Sequence, residues 1–344
     1  MAKPPTSAIG IDIGRHTSKA VLLSRKGANR ISVGGFAVIP TNGGIDSAEG
    51  IAMQVKGLLK ELGGSCKAYS VTISSSEAIL RIIEQPETPT DILRDAVKLN
   101  GMSLLNQDVK SFVLDCDKIG PSRNGESPLS GRMRYLIGGL PRERVTQIGE
   151  GMQKAGASVS AIQLGQIAAF NAYEFADEEG FNNDVFMLVD IGHVDSSVMV
   201  GLKRELVMVR SIEYGSQALL DALASLGSCS PAEALVALEK GDEMMMEAAR
   251  LSLTGLTREI SNSIGFVEGY CDQSVNKVLV SGGIAKSKRI LEIIREELRT
   301  TCETWNPFER CEIGVAAGRK EQLMEETVNL SAACGAAIEL IKGR

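Results

Sequence analysis

The sequence predicts an α/β protein of two related halves facing each other across a cleft, with a small α+β module inserted in the first half. Three observations carry this reading. The stretch IGIDIGRHTSKAVLL at residues 9–23 returns as MLVDIGHVDSSVMVG at 187–201. Each copy is an apolar strand, an Asp-Ile-Gly turn, small polar residues and a second apolar strand, so that Asp12 aligns with Asp190, Gly14 with Gly192 and Ser18 with Ser196. The segments following each copy also repeat, which marks a duplicated unit rather than a chance turn. Finally, 344 residues exceed one ordinary core, so two or more domains are expected.

In the first half, residues 8–13 and 19–23 read as a hairpin whose turn glycine is expected to supply positive φ. GGFAVIP at 34–40 adds a third strand. Ile51, Val55, Leu58 and Leu59 fall at helical spacing within 46–62, and Gly63-Gly64 stops the helix. A strand at 68–76 completes β-β-β-α-β. From Glu84 the composition shifts: QPETPTD precedes a helix over 91–101, VKSFVLDCDKI and RMRYLIGGL read as strands, and GPSRNGESPLSG between them reads as a mobile loop. A helix over 141–156 closes this α-β-β-α set, and strands such as RMRYLIGGL are expected to offer edges to a peptide strand.

After SVSAIQL, a helix over 163–176 carries Gly165, Ala168, Ala169 and Ala172, small residues suited to crossing another helix closely. The second half replays the first with a hairpin at 185–201, a strand at 205–215 and a helix at 216–226. A helical excursion covers 230–272. A strand at 276–283 ends in paired glycines, a helix follows over 285–299, and the closing helix 329–341 is again rich in Ala and Gly. The expected domains are therefore 1–83, completed by 157–180 and 329–344; the insertion 84–156; and 181–328, including the helical part 216–272.

Composition narrows the function. With 37 Lys and Arg against 43 Asp and Glu, the formal charge of −6 and the lack of a basic tract argue against a nucleic-acid binder. No apolar run approaches the roughly 20 residues that span a bilayer. MAKPPTSAIG leads into a strand without the apolar core of a signal peptide, so a cytoplasmic location is expected. The seven cysteines are scattered without CxxC spacing and read as reduced thiols, while two histidines, His16 and His193, are too few for a usual zinc site.

Hairpin turns of Gly, Ser and Thr present backbone N–H groups that can grip phosphate oxygens, and two such turns clamp from both sides. Asp12 and Asp190, each ending a first strand, can hold Mg²⁺ through its waters. Lys19 supplies a point charge to the phosphates. Gly282-Gly283 lets a nucleoside approach the backbone closely.

Five segments, DIGRHTSKAV, QIAAFNA, VDIGHVDSSV, VLVSGGIAKS and AACGAAIEL, occur in the order of the phosphate-1, connect-1, phosphate-2, adenosine and connect-2 motifs. The chain thereby resembles the actin, heat-shock chaperone and sugar kinase superfamily over nearly its whole length. Within it, the chain is most similar to the PilM family, cytoplasmic actin-like proteins of type IV pilus assembly. The similarity rests on Lys19 after D-I-G, the insertion, PRERV, REISNSIGFVEG and the NPF of Asn306 to Phe308. The division protein FtsA shares the insertion in outline but ends in a membrane-binding amphipathic helix that IELIKGR does not resemble.

The resemblance implies an actin-like fold binding ATP and Mg²⁺. Asp12, Gly14, Thr17, Ser18 and Lys19 would touch phosphate or metal from one side, Asp190, Gly192 and Ser196 from the other, and Gly282, Gly283 and Ile284 would line the adenosine. The implied metal ligands are Asp12 and Asp190. It further implies an adaptor that docks the cytoplasmic N-terminal peptide of a PilN-like inner-membrane protein and links the membrane complex to the assembly motors, without itself entering the membrane; self-association is open. The chain also departs from the pattern. Between Ala161 and Tyr173 there is no carboxylate to orient water, only Gln163 and Gln166, so at most a slow ATPase is expected. Val236 stands where relatives use Lys for the nucleoside, although Glu233 is kept, and Arg15 and His16 replace small residues of the first turn. An FtsA-like filament protein and a small-molecule kinase are the alternatives; the kinase would need a base carboxylate, and the first-half motifs offer only Asp12.

Overall fold

The computed structural model describes residues 4–27, 30–42, 44–74, 76–121 and 132–343. Strands β1 (Ser7–Ile13), β2 (Thr17–Lys26) and β3 (Arg30–Pro40) form an antiparallel meander with Asp12 opposite Lys19. Helix α1 (Ala48–Leu62) starts where the Ser47 hydroxyl accepts from the Gly50 N–H, and ends at Gly63 in the left-handed region. Strand β4 (Tyr69–Ile73) returns parallel to β1.

The inserted sheet has three strands, β5 (Ile79–Pro86), β6 (Phe112–Pro121) and β7 (Arg132–Pro141), in the order β5-β7-β6. Helices α2 (Thr90–Leu99) and α3 (Gly101–Leu105) connect β5 to β6. Two strands were expected here. The third, ILRIIEQP, buries Ile79, Leu80 and Ile83, a spacing that does not alternate and so escapes a period-two reading. RMRYLIGGL is the central strand, paired on both sides, so the open edges belong to β5 and β6 instead. Residues 122–131 of the loop expected to be mobile lie outside the described residues.

Helix α4 (Arg142–Lys154) buries Ile148 and Met152 in the core of the first sheet, with Gly151 set against Ile51 of α1. Strand β8 (Val159–Leu164) pairs with β4, and helices α5 (Gly165–Ala176) and α6 (Glu178–Asn183) follow. The second half repeats the meander as β9 (Val185–Ile191), β10 (Ser196–Leu202) and β11 (Glu205–Ile212). Helices α7 (Ser216–Gly227), α8 (Pro231–Glu239) and α9 (Glu243–Cys271) cover it before β12 (Lys277–Ser281) returns beside β9. A short 3₁₀ turn, Gly283–Lys286, separates β12 from α10 (Lys288–Leu298), which shortens the helix expected from residue 285. The chain ends with β13 (Cys302–Thr304), β14 (Cys311–Ile313), α11 (Lys320–Glu326) and α12 (Ser331–Lys342). The sheets thus run β14-β3-β2-β1-β4-β8 and β11-β10-β9-β12-β13.

The two related halves meet along α5 and α12. A Cβ on Gly335 of α12 would lie 1.7 Å from the Ala168 carbonyl oxygen of α5, and one on Gly10 of β1 would lie 1.9 Å from the Ala333 carbonyl oxygen of α12. Small residues let these backbones touch, and the crossing fixes how the halves face each other. Overpacking a rigid site costs about 1–3 kcal/mol or more, and backbone atoms cannot swing aside. Gly335→Ala is therefore expected to destabilise by at least about 2 kcal/mol in denaturant unfolding. Gly255→Ala, at an exposed position of α9 with nothing within 4 Å, should stabilise by about 0.5–1 kcal/mol. Equal effects of the two substitutions would contradict this account of the crossing.

Candidate functional site

Both hairpin turns are built the same way. A Cβ on Gly14 would meet the Thr17 carbonyl oxygen at 2.3 Å, and one on Gly192 would meet the Asp195 carbonyl oxygen at 2.5 Å. Neither glycine has positive φ; the turns need glycine for lack of room, which corrects the reading from turn geometry. Each turn is braced from outside. Thr41 donates its N–H to the His16 carbonyl at 2.9 Å and its hydroxyl to the Gly14 carbonyl at 2.8 Å. Ser216 and Gln217, opening α7, donate to the carbonyls of Gly192 and His193. Among the described residues, none accepts from the main-chain N–H groups of Arg15, His16, His193 or Val194, which leaves four donors for phosphate oxygens.

The charges gather between the turns. Lys19 donates to Asp12 Oδ2 at 2.9 Å, and Thr72 donates to Asp12 Oδ1 at 3.2 Å. Burial works against the Lys19 ammonium, but Asp12, its hydrogen bond and the fields of Asp190 and Glu326 outweigh it and hold the pKa above that of a free lysine. Asp190 accepts from Ser281 Oγ at 2.7 Å. Burial pushes its pKa up against the opposing pull of Ser281 and Lys19. Asp195 is likewise raised by burial, against the nearby Arg15. His16 and His193, one from each turn, stack with ring centroids 4.5 Å apart and planes 25° apart. Burial, then the neighbouring His16, lowers the His193 pKa and keeps that ring neutral at neutral pH.

One cavity of about 120 Å³ brings these groups together. Asp12, Gly14, Thr17 and Lys19 line it from the first half, and Asp190, Gly192, Gly282 and Gly283 from the second. Gly282 has φ 101°, and a Cβ there would lie 2.2 Å from the Ile191 carbonyl oxygen. Three expected residues lie elsewhere. Ser18 is fully buried with its hydroxyl on Thr41, Ser196 donates to the Tyr214 carbonyl at 2.6 Å, and Ile284 sits in the core of the second half. The period-two rule of a strand explains the serines: with Lys19 and its counterpart Ser197 facing the cavity, Ser18 and Ser196 must face away. Sequence reasoning missed Ser197 and Asp195, which that alternation could have found, and Asn329 and Ser331, for which no signal existed.

Two departures can be placed. Gln166 lines the cavity with a buried Oε1 that lacks a partner among the described residues, whereas Gln163 donates to Ser70 Oγ and faces a different groove. Glu233 forms a capping box with Ser230 at the start of α8, and Val236 is exposed.

The donor set fits a magnesium nucleotide. Opposed carboxylates suit a hydrated Mg²⁺ that takes one or two protein ligands, and the turn amides with Lys19 suit its phosphates. Among the described residues, no group of three or more His, Cys, Asp or Glu could hold a metal, so phosphate oxygens and water would complete the shell. Pockets for such ligands measure about 300–1,000 Å³, so the cavity as it stands is smaller than a nucleotide would need.

A raised carboxyl pKa means that ionised Asp190 costs folding free energy. The native state holds its proton more tightly than the unfolded chain does, and that advantage is lost as pH rises through the native pKa. Asp190→Asn is therefore expected to raise the thermal midpoint of the nucleotide-free protein at neutral pH, with the gain shrinking toward acid pH. A lower midpoint at neutral pH would contradict the desolvation argument.

Among solved structures, the chain is similar to the PilM-PilN type IV pilus biogenesis complex, with TM-score 0.81, 22% identity and coverage of 97% of this chain and 98% of that one. It is also similar to the ethanolamine utilization protein EutJ from Carboxydothermus hydrogenoformans (TM-score 0.54, 15% identity, 97% and 90% coverage). The activator of the 2-hydroxyisocaproyl-CoA dehydratase from Clostridium difficile with bound ADPNP follows (TM-score 0.50, 13% identity, 98% and 95% coverage). At these identities the likenesses show the fold, which is actin-like. No curated protein sequence is significantly similar to the chain. The profile of the family described as type IV pilus assembly protein PilM matches residues 10–341, nearly the whole length, and the chain belongs to that family.

Proposed function

We propose that the chain is a cytoplasmic adaptor of type IV pilus assembly that binds ATP with Mg²⁺ in its cleft and docks the N-terminal peptide of a PilN-like inner-membrane protein. The observation that carries the docking reading is a groove of about 540 Å³ between β6 and β8. Each of these is the last strand of its sheet, so main-chain groups on both sides are open to an added strand. Apolar Val113, Leu136, Val145, Ile162 and Ile167 line the groove, and Asp115, Asp117 and Glu339 outnumber Arg94, which pairs with Asp115 at 4.0 Å, leaving a net negative charge that suits the cationic amino terminus of a peptide. The partner in the similar solved structure is PilN. Among the described residues, no helix is long and apolar enough to cross a membrane, so the chain would reach the inner membrane through such a partner.

In the cleft, Asp12 and Asp190 would hold the hydrated metal and Lys19 the phosphates, while Gly282 and Gly283 leave space for the nucleoside. Bound Mg²⁺ neutralises phosphate charge. Gln166 is the connect-1 side chain placed to orient a water, and an amide cannot take the proton, which supports slow turnover. Asp195 is the observation that favours a kinase, because it brings a second-half carboxylate of raised pKa into the cavity; ATP consumption accelerated by a small hydroxyl-bearing acceptor would be its sign.

The test is titration of the full-length protein with a synthetic peptide of the PilN-like cytoplasmic N-terminus. Val113→Arg, which changes a part-exposed wall of the groove, is expected to weaken peptide binding at least about tenfold and leave Mg-ATP binding intact. Unchanged peptide affinity would move the docking site elsewhere.

A further inference from the structure

The two histidines of the chain meet at one point. His16 of the first turn is exposed and His193 of the second is half-buried, and both line the cavity between the halves. Their rings stack across it. The main-chain N–H groups left open for phosphate oxygens belong to these same two residues and to their neighbours Arg15 and Val194. An oxygen gripped by the His16 or His193 N–H therefore lies within reach of the imidazole on the same residue. The Nδ1 of His193 is buried and has no hydrogen-bond partner among the described residues. An ionised phosphate oxygen accepts and cannot donate, so that nitrogen can serve it only while carrying a proton.

The charges around the pair come from both halves. Arg15 and Lys19 are cationic and Asp12, Asp190 and Asp195 anionic along the cavity wall, and Asp221 of α7 acts on His193 from outside it. Without a ligand, burial and then the charge of His16 disfavour the His193 imidazolium, against the pull of Asp221. Rings in contact also titrate as a coupled pair, each proton opposing the other. A phosphate reverses this balance, because its negative charge favours an imidazolium at the same place.

We propose that the His16–His193 pair is a proton-linked phosphate sensor: when a polyphosphate enters the cavity the pair takes up a proton from solvent, and the imidazolium donates to a phosphate oxygen. The inference rests on the reading of the cleft as a nucleotide site. A proton held more tightly in the complex than in the free protein makes binding tighter at low pH. That gain is complete below the pKa of the free pair and is lost as pH rises through the pKa of the complex. Since free His193 is lowered, the window opens on the acid side of the ordinary histidine value and extends toward neutral pH.

Mg-ATP is titrated calorimetrically into full-length wild type, His16→Asn and His193→Asn at about pH 6 and about pH 8, on either side of the ordinary histidine range, each in two buffers of different ionisation enthalpy. Asn keeps an amide near the place of Nδ1 but does not titrate. Asp190, Asp195 and ATP itself titrate in every sample, so comparison with the variants cancels their share. The ratio of affinities at the two pH values should be about fivefold larger in wild type than in either variant, as for a pKa raised by about one unit. The buffer dependence should show greater proton uptake in wild type. Magnesium tripolyphosphate, which carries no nucleoside, is titrated in parallel. If wild type binds it with this pH dependence but does not bind Mg-ATP, the nucleotide reading fails and the sensor stands. If Mg-ATP binds with the same pH dependence in all three proteins, or the variants lose affinity equally at both pH values, the sensor is overturned and the nucleotide reading stands. Binding of neither ligand overturns both.

Discussion

A part-buried ammonium bonded to Asp12 and lying in the field of Asp190 from the other half is the constraint on which the rest of the molecule depends. Lys19 and Asp12 share β-strand neighbours in one sheet, and Asp190 acts on Lys19 from the other. Groups of this kind are costly to take from water unless each is paired. Thr72 and Ser281 supply the remaining hydrogen bonds, and both come from the parallel strands that flank the hairpins, β4 and β12. The β-β-β-α-β topology thus does more than repeat. It delivers, in each half, a carboxylate at a strand end and a hydroxyl beside it.

Such an arrangement requires that the two sheets keep a defined relation. The contact of α5 with α12 at Gly335 and Ala168 supplies the defined relation, because backbone touching backbone admits little sliding. Farther out the contacts are of a different kind. The His16–His193 stack and the Arg134–Glu205 pair both join the halves through side chains rather than through backbone.

The repeat made the phosphate turns legible from sequence, and with them Asp12, Lys19 and Asp190. All three line one cavity. Motif alignment and strand alternation disagree at the serines beside them, and alternation prevails: Ser18 and Ser196 each face away from the cavity. Strand β5 was missed because its apolar residues are adjacent rather than alternate, since one face packs on α2 and the other meets the second half. The grip of Glu205 on Arg134 could not be seen at all. It joins residues 71 apart in sequence, and nothing in RMRY or KREL marks one as the partner of the other. Tertiary contacts between charged residues carry no local signature.

The account stands on both halves acting on one magnesium nucleotide. A double-mutant cycle on Asp12 and Asp190, read as Mg-ATP affinity by titration calorimetry, tests this most directly. Two carboxylates on one hydrated ion predict that Asp12→Ala and Asp190→Ala each weaken binding at least about tenfold, and that the double variant loses less than the sum, a coupling of about 1 kcal/mol or more. Strictly additive losses, or an affinity untouched by either substitution, would contradict a shared metal and with it the two-sided clamp.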